Sequence, residues 1–333
     1  MRTYSVEHPL RAGILAAAVC GLALSCTGTA ARAADVVVPG STDFPESITA
    51  TADGTLFFSS MAGGRLWWAA PGATQATEWI ARGTNGLSSM LGVLADDRTG
   101  TVYACSVDMS WAGIEIPGDN KPTSLKLFDL HSGALKASLP LPPSTLPGQA
   151  SLCNDIAVAP DGTAYVTDSL AGHILRLTPG ASALEIWAHD ARWEAKGPQL
   201  DGIAVLPDGS VVANIFEGDG LYRIAVRPDG SAGAVTRLQT SRPLFHADGL
   251  RAAGPNTLLM VEGETKGTLD RITIDGDTAK VETIRAGFEG PVSLAQVGDT
   301  VYVLDVPLKY LFDPQFKGQN PKPFRAIAVT LNR

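Results

Sequence analysis

The sequence predicts an all-β chain: a six-bladed β-propeller of four-stranded antiparallel blades, its ring closed by pairing of the N- and C-terminal strands. One recurring register is the first sign. An oxygen-bearing residue is followed two places later by an aliphatic one, then by an Asp-Gly turn. The register runs from Glu46 in PESITATADG, Asn154 in CNDIAVAPDG and Asp201 in LDGIAVLPDG. It recurs from Asp248 in ADGLRAAGPN, where Pro255-Asn256 takes the turn. The aliphatic places are Ile48, Ile156, Ile203 and Leu250. Period is the second sign. LGVLADDRTGTVYACS and GPVSLAQVGDTVYVLD share the strand-turn-strand shape, so units start near 46, 91, 154, 201, 248 and 291. Spacings of about 45, 63, 47, 47 and 43 residues are those of propeller blades. Composition is the third: β-branched and aromatic runs broken by Gly, Asp, Asn and Pro, with no sustained helical period.

Taken in order, residues 1–33 read as a signal peptide. Arg2 and Arg11 precede the apolar run Gly13–Ser25, and Ala31-Arg32-Ala33 offers a cleavage site near Ala33. The run is too short for a membrane-spanning helix, which needs about 20 residues. A lipoprotein reading of Ala23-Leu24-Ser25-Cys26 ranks behind plain export to the periplasm or medium. Residues 34–333 form the single propeller domain. RLWWAAPG and ATEWIARG complete the first unit, and SLKLFDLHSG and ALKASLPL the second. HILRLTPG and ALEIWAHD complete the third, LYRIAVRPDG and AVTRLQTS the fourth, and DRITIDGD and KVETIRAG the fifth. The sixth has GPVSLAQ, TVYVLDV and RAIAVTLN but no fourth strand, so DVVV (35–38) is expected to pair with 324–331 and hide the open edge. The insertion 107–123, with Trp111, and the segment 189–199, with Trp193, are expected as loops over one mouth of the ring.

A formal charge of −8 argues against phosphate backbones as partners, and no basic stripe with interleaved aromatics is present. A small-molecule substrate is expected, with no nucleic acid and no membrane span. Cys105 and Cys153, the cysteines beyond the leader, fall at neighbouring blade ends and are a candidate disulfide in an exported protein. Two buried thiols are the equal alternative.

An inner-strand start sits near the channel mouth, so Glu46, Asn154, Asp201 and Asp248 would converge there. Buried together, their carboxylates repel and at least one pKa rises, unless a cation joins them. Oxygen donors point to one divalent metal ion, calcium foremost, with magnesium, manganese or zinc as alternatives. In the second unit Leu91 or Gly92 takes this register, and in the sixth Pro291. His131, His173 and His189 read as surface residues of outer turns.

PESITATADG, CNDIAVAPDG, LDGIAVLPDG and HADGL resemble the senescence marker protein / gluconolactonase / luciferin-regenerating enzyme family, over most of residues 40–310. The related diisopropyl fluorophosphatases share its ligand logic. The resemblance implies a six-bladed propeller with one catalytic divalent metal, held by Glu46, Asn154, Asp248 and the fourth-blade residue. That last residue is Asp201 here, where the family has Asn. The resemblance also implies Asp248 as the carboxylate that activates water. Sugar-lactone hydrolases of the family tend to carry Arg two places before the third-blade Asn. Here that place is Leu152, and with Trp111, Trp193 and His246 nearby a less polar substrate is expected.

The leading expectation is therefore an exported, divalent-metal-dependent, gluconolactonase-like hydrolase of a lactone or related ester. Its rival is a non-catalytic, calcium-braced propeller that binds a ligand or partner protein. A propeller like that of strictosidine synthase fits the four-residue register less well.

Overall fold

The structure, a computed structural model, describes residues 1–5, 33–116, 122–194, 197–263, 267–316, 318–319 and 323–331. Residues 6–32, which hold most of the expected leader, lie outside the described residues; the blades belong to the unit Ala33–Arg333.

The chain enters on β1 (Val36–Val38). The first blade is β2 (Ile48–Ala50), β3 (Leu56–Ser59), β4 (Leu66–Ala69) and β5 (Thr77–Ile80). The second is β6 (Ser89–Asp96), β7 (Thr101–Val107), β8 (Ser124–Asp129) and β9 (Leu135–Pro140). The third is β10 (Cys153–Val158), β11 (Ala164–Asp168), β12 (His173–Leu177) and β13 (Glu185–His189). The fourth is β14 (Leu200–Val205), β15 (Val211–Ile215), β16 (Leu221–Val226) and β17 (Ala232–Arg237). A two-residue strand, β18 (Gln239–Thr240), then leaves the fourth blade and pairs in parallel with the outer strand of the fifth. The fifth is β19 (Ala247–Gly254), β20 (Thr257–Glu262), β21 (Gly267–Asp275) and β22 (Thr278–Phe288). The sixth is β23 (Pro291–Val297), β24 (Thr300–Asp305) and β25 (Phe324–Thr330).

β1 fills the vacancy in the sixth blade. It runs antiparallel to β25 with Val36 opposite Ala326 and Val38 opposite Phe324, so both terminal strands share one sheet. The Asp-Gly turns close the inner hairpins as expected. Gly162 and Gly209 sit at φ 89° and 85°, where a side chain would be strained.

No single central core holds the ring. Buried apolar residues form six clusters, each wedged between two neighbouring blades. Phe57, Leu66 and Phe128 join the first blade to the second, for example, and Leu259, Leu269 and Val303 join the fifth to the sixth. Each blade is thus stabilised by both neighbours. Cys105 of β7 and Cys153 of β10 form a disulfide that links the second and third blades, with Cα atoms 5.3 Å apart. Among the described residues no helix is long and apolar enough to cross a membrane.

Candidate metal centre

The inner strands share an irregularity that sets the site. The ladder skips between Cys153 and Ile156 in β10, between Leu200 and Ile203 in β14, and between Ala247 and Leu250 in β19. A β-bulge of this kind adds a residue to one strand and kinks it, re-aiming a side chain. Asn154, Asp201 and Asp248 each occupy the first place inside the bulge. β6 skips between Met90 and Val93, which puts Leu91 at the equivalent place. In the sixth blade the equivalent is Val292 rather than Pro291: Pro291 is still paired with Asp305, and the skip comes after it. The aliphatic residue two places on is then Leu294, as the repeat requires.

Glycine follows the bulge residue in three blades because adjacent inner strands nearly touch there. A Cβ at Gly92 would lie 2.1 Å from the Asn154 carbonyl oxygen, and one at Gly202 2.5 Å from that of Asp248. Backbone groups displaced from the ladder need other partners. Thr167 and Asn214, on second strands, supply them. Thr167 Oγ1 accepts from Asp155 N (2.9 Å) and donates to the Asp201 carbonyl (2.7 Å). Asn214 accepts from Gly202 N (2.8 Å) and donates to the Asp248 carbonyl (2.6 Å). The third blade so latches the bulge residue of the fourth, and the fourth that of the fifth.

Glu46, Asn154, Asp201 and Asp248 are all buried and line one cavity of about 540 Å³. Asn154 Nδ2 donates to Asp201 Oδ2 (2.9 Å) and to Ser169 Oγ (3.0 Å). A further hydrogen bond joins the carboxyl groups of Asp201 and Asp248. Glu46 Oε2 is buried and has no hydrogen-bond partner. Burial, then the neighbouring carboxylates, raise Glu46 and Asp248 well above the usual range and push Asp201 up to about 7. Among the described residues no group of three or more His, Cys, Asp and Glu side chains stands at cation-binding separation. The quartet is therefore a converged set rather than a closed cage. Its donors fit a hard divalent cation: every side chain offers oxygen, one oxygen is orphaned, and the crowded negative charge is only partly compensated.

One buried pair went unforeseen. Where three other blades carry glycine, the third carries Asp155, and its carboxylate accepts from Arg251 Nη1 (2.6 Å) and Nη2 (3.1 Å). The Arg251 charge acts on Glu46 and Asp201 and partly offsets their shifts. An Asp at a glycine place in the repeat was the signal.

Leu152 and Trp111 line the quartet cavity as expected, Leu152 buried and Trp111 at the open rim. His246 lines a neighbouring cavity of about 770 Å³, which shares Asp248, Phe216, Leu308, Lys309 and Asp313 with the first. Its ring stacks on Phe216 with centroids 4.9 Å apart, and its backbone holds φ 45°. Trp193 is a correction. It is fully buried between the third and fourth blades, with its ring edge on Tyr222, and lines neither cavity. The short 3₁₀ turn Ala191–Trp193 tucks the indole under the loop, where more apolar surface leaves water than at the mouth. His173 is also buried, 2.8 Å from Thr145 Oγ1, not on the surface. Sequence reasoning missed the strap after β24. The helix α1 (Lys309–Phe312) lies in it, and Leu308, Lys309, Phe312 and Asp313 cover the quartet.

Comparison with known structures places this architecture. The chain is similar to a gluconolactonase from Xanthomonas campestris, at 17% identity over 80% of this chain and 84% of that one, with a TM-score of 0.56. The fold is that of the gluconolactonase-like propellers. Virginiamycin B lyase from Staphylococcus aureus (16% identity, 81% and 80% coverage, TM-score 0.55) has it too. So does the PQQ-bound aldose sugar dehydrogenase of Streptomyces coelicolor (15% identity, 89% and 96% coverage, TM-score 0.56). No protein-family model matches the chain, and no curated protein matches it. Identities this low establish the fold alone, and neighbours with different chemistries leave the function to the site.

Proposed function

We propose that the protein is a divalent-metal-dependent hydrolase of a lactone or related ester. The observation that carries this reading is the convergence of Glu46, Asn154, Asp201 and Asp248 on one cavity, with Glu46 Oε2 orphaned. Those four residues would hold the cation, calcium first among the candidates. When bound, it supplies Lewis-acid polarisation of an ester carbonyl.

The chain's own groups do the rest. Asp248 borders both cavities, so water reaches its carboxylate from either side. Its carboxylate is the acceptor for a proton leaving that water. Asn154 holds Asp201 in place through the 2.9 Å hydrogen bond, and Arg251, paired with Asp155, acts on Glu46 and Asp201 as a positive charge. The strap over the cavity limits water around the reacting ester. Export fits the same reading, since the Cys105–Cys153 bridge suits an oxidising compartment.

The test is hydrolysis of a lactone and aryl-ester panel with chelator, then with single divalent ions restored. Asp248→Asn is expected to lower turnover by roughly 10²–10⁴ while the metal still binds. Asp201→Asn is expected to retain activity. Equal activity in the two variants would remove Asp248 as the proton acceptor. Stabilisation by calcium with no turnover on any ester would replace the enzyme with a calcium-braced binding propeller.

A further inference from the structure

The quartet is only part of the lining of its cavity. Separate parts of the chain deliver apolar side chains to the rest of its wall: Met61, Leu91, Met109, Leu152, Phe216 and Phe312. They come from the first four blades, the insertion after β7 and the strap. Leu91 stands at the bulge place that is polar in three other blades. Away from the quartet, the charged groups on this wall are Glu217, Lys309 and Asp313. A polyhydroxylated ring buried here would lose water contacts that the wall does not replace. The rim repeats the pattern. Trp111 is 59% exposed and Phe312 44%, among the few large apolar side chains left open to water, and both border this cavity. At about 540 Å³ it has the size of sites that take drug-like molecules, roughly 300–1,000 Å³, which a bare lactone ring does not fill.

We propose that the substrate is a lactone or ester bearing an aliphatic arm, with the carbonyl over the quartet and the arm along this apolar wall. The inference rests on the hydrolase reading above and names its substrate class. Leu152, two places from Asn154, is the specificity-determining residue: its side chain stands where arm and ring join. The neighbouring cavity, with His246, Glu289 and Lys309 in its lining, takes the hydroxyl freed when the acyl C–O bond breaks; it stays on the arm-bearing carbon and receives the proton that Asp248 took from water.

The experiment is a γ-lactone series, from γ-butyrolactone to γ-dodecalactone, with gluconolactone alongside, on the calcium-loaded protein. Binding of the matching γ-lactams is followed by calorimetry. The expected result is a kcat/KM that rises about fourfold per methylene over the first additions, the equivalent of ~0.8 kcal/mol per buried CH₂. The rise should sit in KM, gluconolactone should fall below γ-octalactone, and Leu152→Arg should flatten the slope. Turnover that is flat or falling with chain length, or that favours gluconolactone, overturns the inference and leaves the hydrolase reading intact. Absence of turnover on every lactone overturns the hydrolase reading instead. The lactams then decide alone: affinity rising with chain length upholds the apolar chamber, and affinity independent of it refutes the chamber.

Discussion

Gly202→Ala tests the close approach of inner strands on which the site depends. The added methyl would stand 2.5 Å from the Asp248 carbonyl oxygen and 2.7 Å from both the amide nitrogen and the Cβ of Leu250. Two of these atoms are backbone, so no rotamer change relieves the clash. Restoring a contact of about 3.5 Å requires roughly 1 Å of separation between β14 and β19. Forced backbone shifts in a packed interior cost about 1–3 kcal/mol. The same movement stretches the Asn214 bridge between Gly202 N and the Asp248 carbonyl, worth about another 1 kcal/mol for each bond lost. Reduced freedom of the unfolded chain returns about 0.4–1 kcal/mol. The net expectation is a loss of about 2–4 kcal/mol, read from equilibrium urea unfolding. Gly254→Ala is the control. It lies at the end of β19, the strand that faces Gly202, but its added Cβ would meet Thr257 at an ordinary 3.5 Å, so stability should hold or rise slightly. Displacing Asp248 by this much should also slow hydrolysis about 10²-fold. A Gly202→Ala variant as stable as Gly254→Ala would refute the close-approach argument.

Three other outcomes follow from the same contacts. Glu46, Asp201 and Asp248 bind their protons more tightly folded than unfolded, so their contribution is full below about pH 4 and lost as pH rises, that of Asp201 through about 7. Chelated protein should therefore unfold at lower urea at pH 8 than at pH 5, by roughly 3 kcal/mol from Asp201 alone, and calcium should reverse the loss; a midpoint that climbs with pH would contradict this. Asn214→Leu strips partners from two buried backbone groups and should cost about 2–6 kcal/mol, with a near-neutral result showing that water replaces the bridge. Reducing Cys105–Cys153, which are 48 residues apart, should lower stability by about 4 kcal/mol on loop-closure grounds, and equal urea curves with and without reductant would count against that.

The ring and the quartet were legible because both are periodic. A strand start, an aliphatic residue two places on and a turn state the pleat and the hairpin together, so Glu46, Asn154, Asp201 and Asp248 could be aligned without coordinates. The same two-place rule, applied to Leu294, would have chosen Val292 over Pro291. What was hidden is what does not repeat. Asp155 and Arg251 meet across 96 positions of sequence, and nothing local to either announces the other. Thr167 and Asn214 read as ordinary polar strand residues, because their role exists only once a bulge frees a backbone group nearby. Trp193 carries no local sign of whether a loop aromatic faces a cavity or a seam between blades. The strap of Leu308 to Asp313 has no counterpart in the other blades.

The pairing of β1 with β25 has a consequence for how the molecule comes into being. These strands lie at opposite ends of the propeller sequence, so the ring cannot close until its last strand has been made. Until then the sixth blade lacks its outer strands, and the first-blade residues that pack on it, Ile48 and Phe58 among them, lack their cover. Joining ends so far apart carries a loop-closure cost that grows only as the logarithm of length, so the final step is affordable but late. Synthesis thus gives a long interval in which an unclosed chain remains open to holding factors or to threading through a pore. Closure, once reached, adds the sixth filled wedge to the five between consecutive blades.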